Sequence, residues 1–203
     1  GTIIAQSIGY LLAPVITRLY TPEEMGEFAI FQRIVVLIAT LATARYELSL
    51  PLPKKDNHAF QLFRFSIKLT LITTLITIIC ALIYGLFNNK EFEYYLLTAG
   101  LVVSVFALAF FNLGTNWAIR IKDFNRISLS KMSNSFSYNG FRVLFGLLNW
   151  GYLGLIISFV ISLVVAAAHF INVRSAFWSD LNFKKHQESA YVVRRWAKDL
   201  TSK

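Results

Sequence analysis

Long uncharged stretches dominate the pattern of polar and apolar positions. From Tyr94 to Ile119, 26 residues pass without one charged side chain, and the stretches Leu69 to Phe87 and Val143 to Val173 are also free of charge. A helix needs about 20 apolar residues to cross the hydrocarbon of a bilayer. The polar breaks between such runs predict six spans. The first extends from Thr2 to about Tyr20 with Pro14 inside it, which a membrane helix tolerates when neighbouring groups satisfy the freed carbonyl. Thr21-Pro22-Glu23-Glu24 then predicts a helix start: a threonine cap, a proline in the first turn, and acids at the positive end of the helix dipole. This second span continues to about Leu50, where Pro51 and Pro53 stop it.

The third helix starts near Asp56, enters lipid near Ser66 and leaves at Asn88-Asn89; the fourth runs from Phe92 to about Ile121. The fifth spans Asp123 to about Asn149. The turn Asn149-Trp150-Gly151-Tyr152, whose aromatics suit a membrane interface, introduces the sixth, which ends near Val173. The expected fold class is all-α, a polytopic bundle of six transmembrane helices over residues 1–174. A basic tail or linker follows over residues 175–203, with Phe177, Trp178, Leu181, Tyr191, Val192 and Trp196 set among Lys and Arg, which fits either a segment that lies on anionic lipid or a solvated tail.

Composition agrees. Charged residues make up 15% of the chain and hydrophobic ones 56%, whereas a soluble domain carries about 25% charge. The net charge of +9 does not point to nucleic acid, because the basic residues gather between the apolar runs. Lys54, Lys55, Arg120, Lys122, Arg126, Lys131 and the seven Lys or Arg from Arg174 onward fall on one side, 13 in all, against Arg18 and Lys90 on the other. Positive residues stay in the cytoplasm, which places both termini there, in a plasma (inner) membrane. Cys80, the single cysteine, lies inside an apolar run, and the three histidines are scattered. No metal site, cofactor loop or nucleophile constellation is visible, so an enzyme is not expected.

Five basic residues remain. Arg64 and Lys68 snorkel at the start of the third span, and Arg45 lies near the end of the second, two residues from Glu47. Arg33 and Arg142 lie deeper, with no acid nearby on their own spans. A guanidinium in hydrocarbon is costly, so each is expected to face water or a partner, a fixed salt bridge being the alternative. Ser128, Lys131, Ser135, Asn139 and Arg142 follow three- and four-residue steps, and Asn112, Asn116 and Arg120 are spaced by four. Stripes of this kind either hydrogen-bond between helices or line a polar lumen. With the arginines they make Arg33, Arg142, Asn139, Asn112, Asn116 and Arg120 the candidate sites for an anionic group, since the planar fork of arginine binds two phosphate oxygens at once.

Arg18-Leu19-Tyr20-Thr21-Pro22-Glu23-Glu24-Met25-Gly26 resembles the link after the first helix of Wzx-type flippases, the polysaccharide-transport branch of the superfamily of multidrug, oligosaccharidyl-lipid and polysaccharide exporters. Arg45-Tyr46-Glu47-Leu48 with Leu52-Pro53 is similar to the end of that family's second helix. Asn116-Trp117-Ala118-Ile119-Arg120 with Phe124, Ile127 and Ser128 is similar to its fourth-to-fifth link. The resemblance extends to about Arg174. It implies one six-helix lobe of a two-lobe, alternating-access transporter that moves undecaprenyl-diphosphate-linked oligosaccharides across the membrane for surface polysaccharide synthesis. Arg33 and Arg142 would meet the diphosphate and acidic sugars. The chain stops at Lys203, so a missing C-terminal lobe or a second copy is the expected partner besides the lipid bilayer and the lipid-linked cargo. The alternatives are a non-transporting membrane subunit or scaffold, and the same fold exporting another lipid-linked or small-molecule cargo.

Overall fold

The computed structural model describes residues 2–52, 56–88 and 91–171. They form six α-helices: α1 Thr2–Leu19, α2 Pro22–Thr43, α3 Asp56–Phe87, α4 Phe92–Arg120, α5 Phe124–Leu147 and α6 Gly151–Ala168. A short 3-10 turn, Tyr46–Ser49, lies between α2 and α3. No strand occurs among the described residues. The chain divides into two compact units, Gly1–Phe170 and Ile171–Lys203. Of the second unit only Ile171 is described, so the basic tail expected over residues 175–203 lies outside the described residues.

The α2 start forms as its sequence predicts. The Glu24 amide donates to Thr21 Oγ1 at 3.3 Å, and the Thr21 amide donates to Glu24 Oε2 at 2.8 Å. This reciprocal capping box satisfies two amides that the helix itself cannot. The end of α2 differs from expectation. The helix stops at Thr43 rather than near Leu50, because Ala44 and Arg45 take left-handed backbone angles with φ of 45° and 60°. The chain then tightens into the 3-10 turn, which turns Glu47 and Leu50 inward, where both are buried.

α6 is the central helix. It packs against α5, α4 and α2, and 50% of its apolar window is buried, compared with 11% for α3. The core runs along it: Leu155, Ile156, Phe159 and Leu163 meet Phe28, Phe31 and Val35 of α2 and Val105 and Ala107 of α4. α3 packs on α4 and α2 at the periphery and exposes Leu71, Ile72, Leu75, Ile76, Ile79 and Ile83. Such a ladder is costly in water and free of cost in hydrocarbon. Cys80 is exposed in the same stretch.

Among the described residues four helices are long and apolar enough to cross a membrane: Pro22–Thr43, Gln61–Phe87, Phe92–Arg120 and Gly151–Ala168. This is the make-up of a membrane-embedded chain. Two of the six expected spans stand apart. In α1, Gly9–Leu19 is an apolar stretch among the residues whose side chains are described, and α5 carries polar residues along its whole length.

Candidate functional site

Arg142 lies five residues before the end of α5 and is half-buried. Its guanidinium carbon sits 4.8 Å from the centre of the Tyr138 ring, one turn earlier, and 5.9 Å from the Phe28 ring of α2. Both rings offer their electron-rich faces to the cation. Phe28, Tyr138 and Phe159 form a mutual cluster with centroid separations of 5.8–6.5 Å, so the aromatic wall is held by three helices. Arg142 Nε is sealed from solvent without a hydrogen-bond acceptor, and no carboxylate among the described residues pairs with the guanidinium. The Arg142 carbonyl accepts a 2.7 Å hydrogen bond from the Tyr20 hydroxyl. Burial pushes the Tyr20 phenol up from its usual range, against an opposing pull from Arg142, and it remains a donor.

Arg33 lies elsewhere. The buried stripe of α2 is Phe28, Phe31, Val35 and Ala39, and Arg33 is about 140° around the helix from Phe28 at 3.6 residues per turn. It is exposed on a face it shares with Ile30, Ile34 and Leu37. The two deep arginines therefore occupy different faces, and the structure does not bring them together.

Asn139 is buried, and its Nδ2 donates to the Ser135 carbonyl at 2.9 Å within its own helix. On α4, Asn116 Nδ2 likewise donates to the Asn112 carbonyl at 2.9 Å. Arg120 tethers the end of α4 to the α2–α3 connection, with Nη1 3.2 Å from the Leu50 carbonyl. Asn139 thus sits one turn from Arg142, whereas Asn112, Asn116 and Arg120 follow α4 toward the opposite end of the bundle.

A second polar stripe on α5 was not singled out from the sequence, and it forms the seam with α6. Ser130 Oγ donates to the Ala166 carbonyl at 2.7 Å, Asn134 Nδ2 donates to the Ser162 carbonyl at 3.0 Å, and Ser133 Oγ lies 3.3 Å from His169 Nε2. The signal was present, since Ser130, Ser133 and Asn134 also follow three- and four-residue steps. With polar residues all around α5, periodicity alone selects no face. At the end of the bundle that includes Tyr20, Tyr152 of α6 donates to the Glu93 carboxylate of α4, joining two helix starts.

No group of three or more metal-ligating side chains occurs among the described residues. The chain matches no protein-family model, no curated protein and no solved structure in the comparisons made.

Proposed function

We propose that this chain is the N-terminal lobe of a flippase that carries a lipid-diphosphate-linked oligosaccharide across the plasma membrane, with six helices crossing and both termini cytoplasmic. The observation that carries the reading is Arg142. It is a cation held deep in the bundle on an aromatic wall, with one guanidinium nitrogen unsatisfied and no acid beside it. An arginine placed within hydrocarbon costs about 3 kcal/mol on insertion scales, and a structural arginine offsets that cost by pairing. An unpaired one is available to an anion that comes and goes, and a diphosphate fits its planar fork.

The burial pattern of α5 supports six crossings. Beyond its first two residues, Phe124 and Asn125, its exposed positions are Leu129, Phe136, Gly140, Leu144 and Leu147, whereas Ser130, Ser133, Asn134, Asn139 and Arg142 are buried or half-buried. A helix that turns apolar residues outward and polar ones inward is suited to lipid outside and a polar interior. α1 packs along α5. The 13-to-2 excess of basic residues orients the bundle, and Glu23, Glu24, Glu27, Glu91 and Glu93 all lie at the end poor in basic residues.

Arg33 supports the incompleteness of the lobe. An exposed guanidinium in the middle of an apolar helix face is a poor neighbour for lipid tails, so that face is the one turned to the second lobe or copy. The same exposure favours the second reading, a scaffold subunit whose Arg33 pairs with an acid on a partner protein. Surface-glycan output per molecule of membrane-inserted protein separates the two. In the transporter Arg142→Ala abolishes output and Arg142→Lys restores part of it. In the scaffold neither changes output beyond the change in protein level.

A further inference from the structure

α2 leaves one face uncovered. It packs on α3, α4 and α6, with Phe28, Phe31, Val35 and Ala39 as its buried stripe. On the far side Gly26, Ile30, Arg33 and Leu37 follow three- and four-residue steps, so they share a face, and all four are exposed. Arg33 stands at the midpoint of Pro22–Thr43, about 15 Å from either end at 1.5 Å per residue. This is the depth from which a side chain has farthest to reach for water. A Cβ on Gly26 would meet nothing within 4 Å. A second backbone therefore has room to come close on this face, as small residues permit between membrane helices.

Three occupants can cover such a face: lipid, a second copy of this chain, or a different helix. Lipid tails suit Ile30 and Leu37 but give a guanidinium at mid-depth no acceptor. A second copy inserted the same way round meets the first across a two-fold axis normal to the membrane, so each residue finds its equivalent at its own depth. Arg33 would then face Arg33, and like charges set together in a medium of low dielectric repel. Nor does a copy bring an acid to that level, since every acid among the described residues lies near an end of the bundle. Glu23, Glu24 and Glu27 are in the first two turns of α2, Glu47 is in the 3-10 turn, Glu91 and Glu93 are at the start of α4, and Asp56 and Asp123 are at the starts of α3 and α5. A different helix with an acid at the level of Arg33 has neither fault. Its carboxylate accepts two hydrogen bonds from the guanidinium fork, while its apolar residues pack on Ile30 and Leu37.

We propose that the Gly26–Ile30–Arg33–Leu37 face of α2 is a docking surface for a membrane-crossing helix of different sequence that carries an aspartate or glutamate at the level of Arg33. The inference rests on the reading above that this face is turned to a second body, and it narrows that body by excluding a copy of this chain. In a flippase the acid-bearing helix belongs to the second lobe, and in a scaffold it belongs to the partner protein. The recognition is the same in both: one ion pair at mid-depth, flanked by apolar contacts.

The test uses the full chain in lipid vesicles with a donor dye on Cys80, its single cysteine, which is exposed on α3. The probes are synthetic membrane-crossing helices of leucine and alanine that carry an acceptor dye and have Glu, Leu or Lys at the centre. Energy transfer is followed against the ratio of peptide to lipid. The Glu helix should associate about tenfold more tightly than the Leu helix. Arg33→Leu, which makes α2 more apolar and so does not hinder insertion, should bring the two to equal affinity. Arg33→Glu should move the preference to the Lys helix. Arg18→Leu, which removes a charge from the end of α1 instead, should keep the wild-type preference. Equal association of the Glu and Leu helices with the wild-type chain overturns the proposal and leaves the face to lipid or water. Energy transfer between donor- and acceptor-labelled copies of the chain that is lost in Arg33→Leu overturns it in favour of a copy. No glycan enters these readouts, so the docking surface and the cargo assignment at Arg142 fail independently.

Discussion

The Tyr20 hydroxyl and the Arg142 backbone carbonyl, 122 positions apart in sequence, are joined by a 2.7 Å hydrogen bond. The bond ties the α1–α2 link to the turn of α5 that carries the candidate arginine. It is possible because Gly146, one turn further on, leaves room for the link: a Cβ there would stand 2.9 Å from Leu19 Cβ and 3.0 Å from Tyr20 Cε2.

Removing the hydroxyl tests this tie. Tyr20→Phe keeps the ring and loses one hydrogen bond, worth about 1 kcal/mol. For a chain of this size that is a fall of roughly 2–4 °C in melting temperature, measured in detergent by the loss of helical signal. Gly146→Ala should cost more, since backbone must move to admit the methyl. Equal melting temperatures for all three proteins would show that the link is not held by this contact.

Arg142 gives a different expectation for stability. Where a buried arginine is paired, removing it strands its partner acid and costs about 3–5 kcal/mol. Here no acid is stranded, so Arg142→Met should insert and melt like the wild-type protein while transport fails. A large fall in melting temperature would contradict the unpaired assignment.

The seam between α5 and α6 is made of side chain to backbone bonds. Interhelical hydrogen bonds within membranes average about 0.6 kcal/mol each. Ser130→Ala and Asn134→Ala should therefore each destabilise slightly, and the double variant by about the sum, since the two acceptors differ. A cost above about 2 kcal/mol for either alone, by chemical denaturation in mixed micelles, would mean the pair does more than fasten two helices.

At the α4–α6 crossing Gly114 meets Phe170, with a Cβ placed there only 2.6 Å from Phe170 Cβ. Phe170 is buried and also packs on Phe111, at 5.9 Å between ring centroids. Gly114→Ala overpacks this contact, at a cost of about 1–3 kcal/mol. Phe170→Ala, which removes Cγ and the ring, should make the added cost of Gly114→Ala smaller, and an unchanged cost would place the strain elsewhere.

Orientation is open to labelling in a Cys80→Ala background. Phe92→Cys and Trp150→Cys, both exposed at the end poor in basic residues, should react with an impermeant thiol reagent from outside intact cells. Leu52→Cys and Ile121→Cys, exposed at the opposite end, should react only after permeabilisation. The reverse pattern would invert the bundle.

Much of this protein is local in origin and therefore legible in the sequence. The uncharged runs mark the long apolar helices, because hydrocarbon tolerates nothing else over that length. Thr21, Pro22 and Glu24 start α2, because a capping box needs only residues within one turn. The left-handed pair Ala44 and Arg45 was not legible. Nothing in their side chains demands positive φ, and the bend is set by burying Glu47 and Leu50 against α3 and α4. The faces of α5 were not legible either. Its polar residues fit several helical stripes, and only packing against α1 and α6 decided that Ser130 and Asn134 bind backbone while Arg142 stands among aromatic rings. The sequence placed Arg33 and Arg142 at depth together. The tertiary structure separated them, because rotation about a helix axis is chosen by the neighbours, here the Phe28–Phe31–Val35 stripe that packs inward and leaves Arg33 outside.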